Sequence, residues 1–383
     1  GRPSAVAPDR RAAEAGAVGV LIVQERLSTA GLGSRNGMMP TVRSTMGGAS
    51  ITPTVAASLF SAPLESLTPG TAGKAVSGSW AYQFEKPQYP ARNVLAIFPG
   101  SDPELRNEYV VIGAHNDHVG MVNGNVRPEH DSLRAFNRIL RPQGANDRVA
   151  LDAITAEQWA QINALIAEAR KVRPPRIDSV NNGADDDGSG SMVLLEIAEF
   201  FASQPAPKRS ILFNSHAGEE KGLLGSAYWV DNPTVPLENV VAAHNMDMLG
   251  KGRVTDVRFG GPNAVQMLGS RRLSAEFGDV IDSLNAVRSE PMVIDHFWDR
   301  TNHLNRFCRS DQVSYFRKEI PVTYFSLGYS IDYHQPTDEP QYINYDQSAR
   351  VARFVHEIAK TVANRTSRLQ VLPVDQRDLS ARC

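Results

Sequence analysis

Histidine and carboxylate side chains recur directly behind apolar runs in this chain. His115-Asn116-Asp117 follows Tyr109-Val110-Val111-Ile112-Gly113-Ala114. Asp185-Asp186-Asp187 precedes Gly188-Ser189-Gly190, with apolar residues beyond. Glu219-Glu220 comes soon after Ile211-Leu212-Phe213-Asn214. Asp247 follows Val240-Val241-Ala242-Ala243, and His334 follows Val322-Thr323-Tyr324-Phe325 and a short loop. Imidazole nitrogen and carboxylate oxygen are ligands for a divalent cation such as zinc, and a free carboxylate can act as a general base. Adjacent carboxylates in the Asp185–Asp187 run repel one another and are costly to gather without a cation. Glu219 and Glu220 point in different directions, so one can bind a cation while the other faces water. Asp117 can fix the tautomer of His115 or help position the ion. Each stretch alone has an ordinary alternative: a polar turn, a solvated acidic loop, a helix cap or a loop histidine. As a set, with one carboxylate shared, they can serve two ions about 3.5–4 Å apart.

These residues need a scaffold that brings strand ends together. The runs at 93–98, 109–114, 209–214, 240–244 and 322–325 are near-continuously apolar, which suits strands buried on both faces. Helical patterns lie between them at Ser191–Ala202, Leu223–Val230 and Ser348–Ala363. Alternating strands and helices predict an α/β sheet covered on both sides. Ligands bind in such sheets beyond the carboxyl ends of the strands, where each candidate stands. Residues 121–180 interrupt the alternation as a charged insertion, with one amphipathic helix near Ala156–Val172 that ends at Arg173-Pro174-Pro175.

The chain has 383 residues, which suggests about two domains. Hydrophobic residues make up 42% and charged residues 21%, enough for a sizeable core and unlike a disordered chain. The net charge of -2 gives no basic excess for nucleic acid. No apolar run reaches the length of a membrane span. The chain opens on Gly1 with no signal segment in view, which reads as a mature form or a fragment. Cys308 and Cys383 are too few for a disulfide framework or a cysteine-rich zinc site, though they could form one bridge if the tail folds back.

The order and wording of the motifs resemble the co-catalytic di-zinc exopeptidases, the family that includes bacterial leucyl aminopeptidases and glutamate carboxypeptidase II. The matching pieces run from Gly113–Gly120 through Gly183–Gly190, Gly218–Ser226 and Asn245–Met248 to Tyr333–Asp338, within about residues 90–365. The resemblance implies a mixed, mostly parallel sheet with helices on both faces, of the phosphorylase/hydrolase-like kind. It implies two zinc ions and a peptide or peptide-like substrate cut at a terminal bond, with an aminopeptidase expected and a carboxypeptidase of the same family as the alternative. By position, His115 and Asp247 would hold one ion, Glu220 and His334 the other, and Asp186 would bridge them. Glu219 would be the base and Asp117 the partner of His115. The family also places a cis peptide after the bridging aspartate, here Asp186-Asp187. A non-catalytic or single-zinc relative would be expected to lack part of this set, and none is missing.

Residues 1–75 resemble part of a protease-associated domain through Ala15-Gly16-Ala17-Val18-Gly19-Val20-Leu21-Ile22-Val23, a small α+β segment ahead of an exopeptidase domain over 76–383. By the same resemblance the protein is secreted or lies in the periplasm or cell envelope. Many relatives carry a tyrosine that donates to the oxyanion where this chain has Phe307, so Arg309, Tyr329 or the metal ions would have to serve.

Overall fold

The computed structural model describes residues 12, 15–24, 47–79, 88–122, 128–299 and 304–378. Contacts divide the chain into two compact units, Gly1–Pro90 and Ala91–Cys383. In the first, β1 (Gly19–Val23) pairs in parallel with β2 (Gly47–Ile51). Helix α1 (Pro53–Ser58) follows; the Thr52 hydroxyl caps it by accepting from the Val55 N–H at 3.3 Å. Of the helix expected over Ala12–Ala17, the described residues are Ala12, which is helical, and Ala15-Gly16-Ala17, a turn with Gly16 at φ 79°. Cys383 lies outside the described residues. Cys308 is disulfide-bonded.

The second unit is built on a seven-stranded sheet of β3 (Val94–Phe98), β4 (Tyr109–His115), β5 (Ser210–His216), β6 (Val240–Met246), β7 (Ala264–Leu268), β8 (Val293–Asp295) and β9 (Val322–Ser326). Its order is β3-β5-β4-β6-β9-β7-β8. The central strands β5, β4, β6 and β9 run parallel, while β3 at one side and the β7–β8 pair at the other run against them. The sheet is therefore mixed and mostly parallel, as the resemblance implies.

Alternate residues of β4 show why those runs are needed. Val110, Ile112 and Ala114 face one apolar layer with helices α4 (Gly188–Ala202), α6 (Ala275–Ala286) and α8 (Tyr345–Asn364). Val111 faces a second layer with α5 (Leu224–Asp231) and α7 (Gln312–Phe316). A strand covered on both sides cannot alternate apolar with polar. Strand β3 departs from the expectation of two buried faces: Val94 is 64% exposed and Ile97 47%. It sits at the sheet's edge, with β5 as its strand partner. Strands β7 and β8 and helices α6 and α7 lie where the sequence offered no clear pattern; β8 is three residues long.

The insertion between β4 and α4 folds as two helices, α2 (His130–Leu140) and α3 (Ala156–Val172). The expected α3 carries a capping box between Thr155 and Gln158. Helix α2 was concealed by its polar opening, His130-Asp131-Ser132. Glu129 caps it, accepting from the N–H groups of Asp131 (3.2 Å) and Ser132 (2.8 Å). Arg170 of α3 donates to Glu129 at 2.5 Å and to Asp131 at 3.2 Å, and Arg173 also binds Asp131.

Burial opposes the charge on Glu129, but hydrogen bonds from Ser132, the Arg176 N–H and Arg170 outweigh it and hold its pKa at about 2. The Arg173 hydrogen bond, against burial, holds Asp131 at about 2 as well. Carboxylates depressed in the folded state stabilise it above their ordinary pKa of about 4 and lose that contribution as pH falls through the folded value. Pepsin cleavage within residues 128–178, relative to cleavage elsewhere, should rise as pH is lowered from about 4 towards 2. In Glu129→Gln part of that rise should already be present at the upper end.

Candidate metal centre

The carboxyl ends of β4, β5, β6 and β9 lie at one edge of the sheet, and each hands its following residues to the same place. His115 ends β4 and is buried. Its Nδ1 lies 3.0 Å from the main-chain oxygen of Asp117. A carbonyl can only accept, so Nδ1 carries a proton and Nε2 is the ring nitrogen left to face a cation. That Nε2 lies 3.2 Å from Asp186 Oδ1 and 3.7 Å from Asp247 Oδ1. On the other side, His334 Nε2 is 3.0 Å from Asp186 Oδ2 and 3.1 Å from Glu220 Oε1. The two oxygens of Asp186 thus face two different clusters. Ligand atoms around one tetrahedral zinc stand about 3.3 Å apart, given zinc–ligand lengths of about 2.0–2.1 Å.

Two groupings of cation-binding residues result: His118, Asp186, Glu220 and His334, and His115, Asp187 and Asp247. Every ligand expected from the sequence is in one or the other. His118 is the addition; its Nδ1 is 2.9 Å from Glu220 Oε1. The only hint in the sequence is a second histidine three residues beyond the first. His115 Nε2, both ring nitrogens of His118, Glu220 Oε1 and Asp247 Oδ1 are buried without a hydrogen-bond partner. Buried polar atoms are otherwise nearly always satisfied, and lone pairs converging in this way fit a cation that accepts nitrogen and oxygen, as zinc does.

The three consecutive aspartates hold three separate positions. Asp185 turns away from the cluster and accepts from the Gly250 N–H at 2.6 Å. Asp186 points in. Asp187 caps α4 through the Gly190 N–H at 2.9 Å, and also accepts from the N–H groups of His115 at 3.0 Å and Met248 at 3.2 Å. With so many backbone donors, Asp187 ties together the loops after β4 and β6. The peptide between Asp186 and Asp187 is cis.

Glu219 and Glu220 sit on a single 3-10 turn, Glu219–Lys221, between Gly218 at φ 72° and Gly222 at φ 105°. Both glycines occupy the left-handed region that side chains disfavour. The Asp117 carboxylate holds the turn from outside, accepting from the Glu219 N–H at 3.0 Å and the Glu220 N–H at 3.3 Å. Its Oδ1 is 3.7 Å from His115 Nδ1, so the contact that orients His115 comes from the main chain of Asp117.

Charge follows this arrangement. Burial lowers the proton affinity of His334, but the adjacent Asp186 and Glu220 carboxylates reverse that and lift its pKa to about 9. Burial opposes the Asp186 charge too, yet His115 and His334 hold the carboxyl well below its usual range. Glu219 behaves oppositely: burial raises it well above the ordinary value, His115 opposes, and Asp247, Asp311 and Asp186 push it further up.

Phe307 is buried against Phe316, with ring centroids 4.9 Å apart, and beneath Arg272. The donors nearer the centre are Tyr333, whose ring stacks on His334 at 3.9 Å, and Arg309, which donates to the Tyr333 hydroxyl at 3.1 Å.

A third group of similar composition, His130, Asp178 and Glu339, lies elsewhere. Arg176 already occupies it, donating to both Glu339 oxygens at 2.7 and 2.8 Å and to Asp178 at 3.2 Å.

The model of Peptidase family M28 matches residues 93–359. A probable zinc metalloprotease of Pyrenophora tritici-repentis is 42% identical over 74 residues, 19% of this chain and 17% of that protein. Aminopeptidase YwaD of Bacillus subtilis is 42% identical over 69 residues, 18% of this chain and 15% of its own. The chain thus spans about a sixth of the length of the curated relatives it matches. Among solved structures, an aminopeptidase from Aneurinibacillus sp. strain AM-1 aligns with a TM-score of 0.48 at 18% identity, covering 98% of this chain and 70% of that one. A zinc aminopeptidase from Bacillus subtilis aligns at 0.46 and 17% identity, covering 73% and 53%. The family match takes in the whole seven-stranded sheet and every residue gathered around Asp186, and the chain belongs to Peptidase family M28.

Proposed function

We propose that this protein is a zinc-dependent exopeptidase that removes residues from the amino end of peptides, using two ions bridged by Asp186. The observation that carries this reading is the division of the Asp186 carboxylate, one oxygen towards His115 and Asp247 and the other towards His334 and Glu220. His115 and Asp247 would hold one ion, with Glu220 and His334 holding the other and His118 beside them. The choice of the amino end follows relatives named as aminopeptidases.

Zinc held at these positions would supply a water of lowered pKa and Lewis acidity towards the scissile carbonyl. Glu219 takes the proton released as the water attacks and passes it to the departing nitrogen. Its burial among carboxylates suits this, because a carboxylate that gains a proton readily is a better base near neutrality. Asp117 holds the main chain of Glu219 and Glu220, which would let Glu219 act on the water while Glu220 holds the ion. Tyr333 takes over the donor role that Phe307 cannot fill. Burial pushes its phenol far above the ordinary range, so it keeps its proton throughout the working pH. Arg309 holds that hydroxyl from behind and adds positive charge for the oxyanion.

We further read residues 1–75 as part of a protease-associated domain, and the protein as one that works outside the cytoplasm. The disulfide at Cys308 supports that location, since such bonds persist in oxidising compartments. Among the described residues no helix is long and apolar enough to cross a membrane.

Metal analysis of the purified protein should give two zinc ions per chain. A dipeptide amide with a free amino end should be cleaved, and an N-acetylated dipeptide with a free carboxyl end left intact; cleavage of the acetylated dipeptide would reverse the polarity proposed. Glu219→Gln keeps the metal and the shape but loses the base, so turnover should fall by about 10²–10⁴-fold with the zinc content unchanged. Zinc at about a hundredfold excess over its Kd should stabilise the metal-stripped protein by about 2.7 kcal/mol for each site filled, in thermal or urea unfolding. Asp186→Ala, which removes the shared carboxylate, should abolish that gain.

A further inference from the structure

His334 stands on a loop with no regular structure, and its own backbone is held at φ 53°. A non-glycine residue in the left-handed region persists where its surroundings over-determine it. The surroundings come from the insertion, far away in the chain. On one side of His334, Arg134 of α2 donates to Asp332 from Nε at 3.2 Å and Nη2 at 3.4 Å. Asp332 is buried and also accepts from Lys251 at 3.0 Å and the Thr337 hydroxyl at 2.6 Å. On the other side, Asn137 of α2 donates to the Gln335 side chain at 3.3 Å. Next to His334, the Ala145 N–H donates to the Tyr333 carbonyl at 3.0 Å. That approach depends on Gly144, where a Cβ would come within 2.5 Å of the same carbonyl oxygen. Further along, Glu339 meets Arg176 at 2.7 Å and His130 at 2.8 Å.

We propose that the insertion is a brace that presents His334, with Arg134 and Asn137 as positioning residues for the cation site served by His334, Glu220 and Asp186. Residues 332, 333, 335 and 339 are each fastened to it, while His334 projects between them with its ring free to ligate. Among the described residues the insertion makes no hydrogen bond or ion pair with His115 or Asp247, which serve the partner site. The loops of that site are tied to one another through Asp187. Loosening the insertion therefore weakens one ion and spares the other. This inference rests on the two-ion reading, and its test separates the two.

The metal-stripped full chain is titrated with zinc against a competing chromophoric chelator, with ions per chain counted by native mass spectrometry. Wild type should fill two positions. Arg134→Gln and Asn137→Ala should each fill one as wild type does and need about 10–100-fold more free zinc for the other. Peptidase turnover in both should recover as zinc is raised. In an Asp247→Ala background, which leaves the His334 site as the main holder, Arg134→Gln should weaken the remaining ion by the same factor. Lys171→Ala, which breaks only an exposed pair with Glu168 on the insertion's outer side, should change nothing. Two positions filled by both variants at wild-type zinc would overturn the brace and leave the two-ion reading standing. Fewer than two ions in wild type would overturn the two-ion reading and the brace with it. Should Arg134→Gln fail to melt cooperatively, Asn137→Ala decides alone, since it removes one hydrogen bond and no charge.

Discussion

Buried carboxylates crowd the carboxyl end of this sheet, and each must meet a donor or a cation, because an uncompensated charge in a dry interior is prohibitively costly. The way that demand is met organises the surrounding loops. Asp117, Asp185 and Asp187 are satisfied by backbone N–H groups. Asp338 accepts from the N–H groups of Asp185 and Asp186, and shares the buried Lys251 ammonium with Asp332. Among the others, Asp186, Glu220, Asp247 and Asp311 face imidazoles. Each satisfied carboxylate fastens a loop that carries an unsatisfied one, so the supporting hydrogen bonds and the candidate metal ligands belong to one charge-balancing arrangement.

Sheet direction supplies the rest. Four adjacent parallel strands end at the same edge, so residues more than 200 positions apart in sequence, His115 and His334, arrive side by side. The reversed strands widen the sheet without delivering any of these ligands. Strand β3 shields β5, and β7 with β8 extends the floor on which α6 and α8 pack. Antiparallel additions at the margins keep the central strands buried on both faces, which is the condition for their uniform apolar sequence.

That uniformity made the centre of the fold legible. A strand covered on both sides writes itself as an unbroken apolar run, and a polar residue soon after it is conspicuous; His115, Glu220 and Asp247 stand out in this way, whereas Asp186 is marked by its run of three aspartates ahead of an apolar helix and His334 follows its strand only after a loop. Peripheral elements lack the contrast. Strand β8 is too short for a period to show, and α2 begins with three polar residues whose purpose is to cap and to pair. His118 escaped because one further histidine in a polar loop carries no signal of its own. Arg134 and Lys251 escaped for a deeper reason. Arg134 meets Asp332 across 198 positions, and nothing local in either segment encodes the other. Residues that act are marked by their setting in the sequence, whereas residues that hold them are marked only by the fold.

The same residue types also show why composition alone does not define a reactive centre. His130, Asp178 and Glu339 have the makings of a cation site as fully as His115, Asp187 and Asp247 do. The difference is Arg176. Its guanidinium is a permanent, planar charge that saturates Glu339 through paired donors and reaches Asp178 as well, fixing geometry and leaving little to exchange. Among the described residues the ion pairs of Asp186, Glu220 and Asp247 are with imidazoles alone. An imidazole can give up its proton near neutral pH and offer the lone pair to a metal, and a guanidinium cannot. One cluster is therefore closed by its cation and acts as a joint between the insertion and the Glu339 loop. The other is held open by groups that can trade a proton for a metal ion, and an open, tradable charge balance is what hydrolytic chemistry requires.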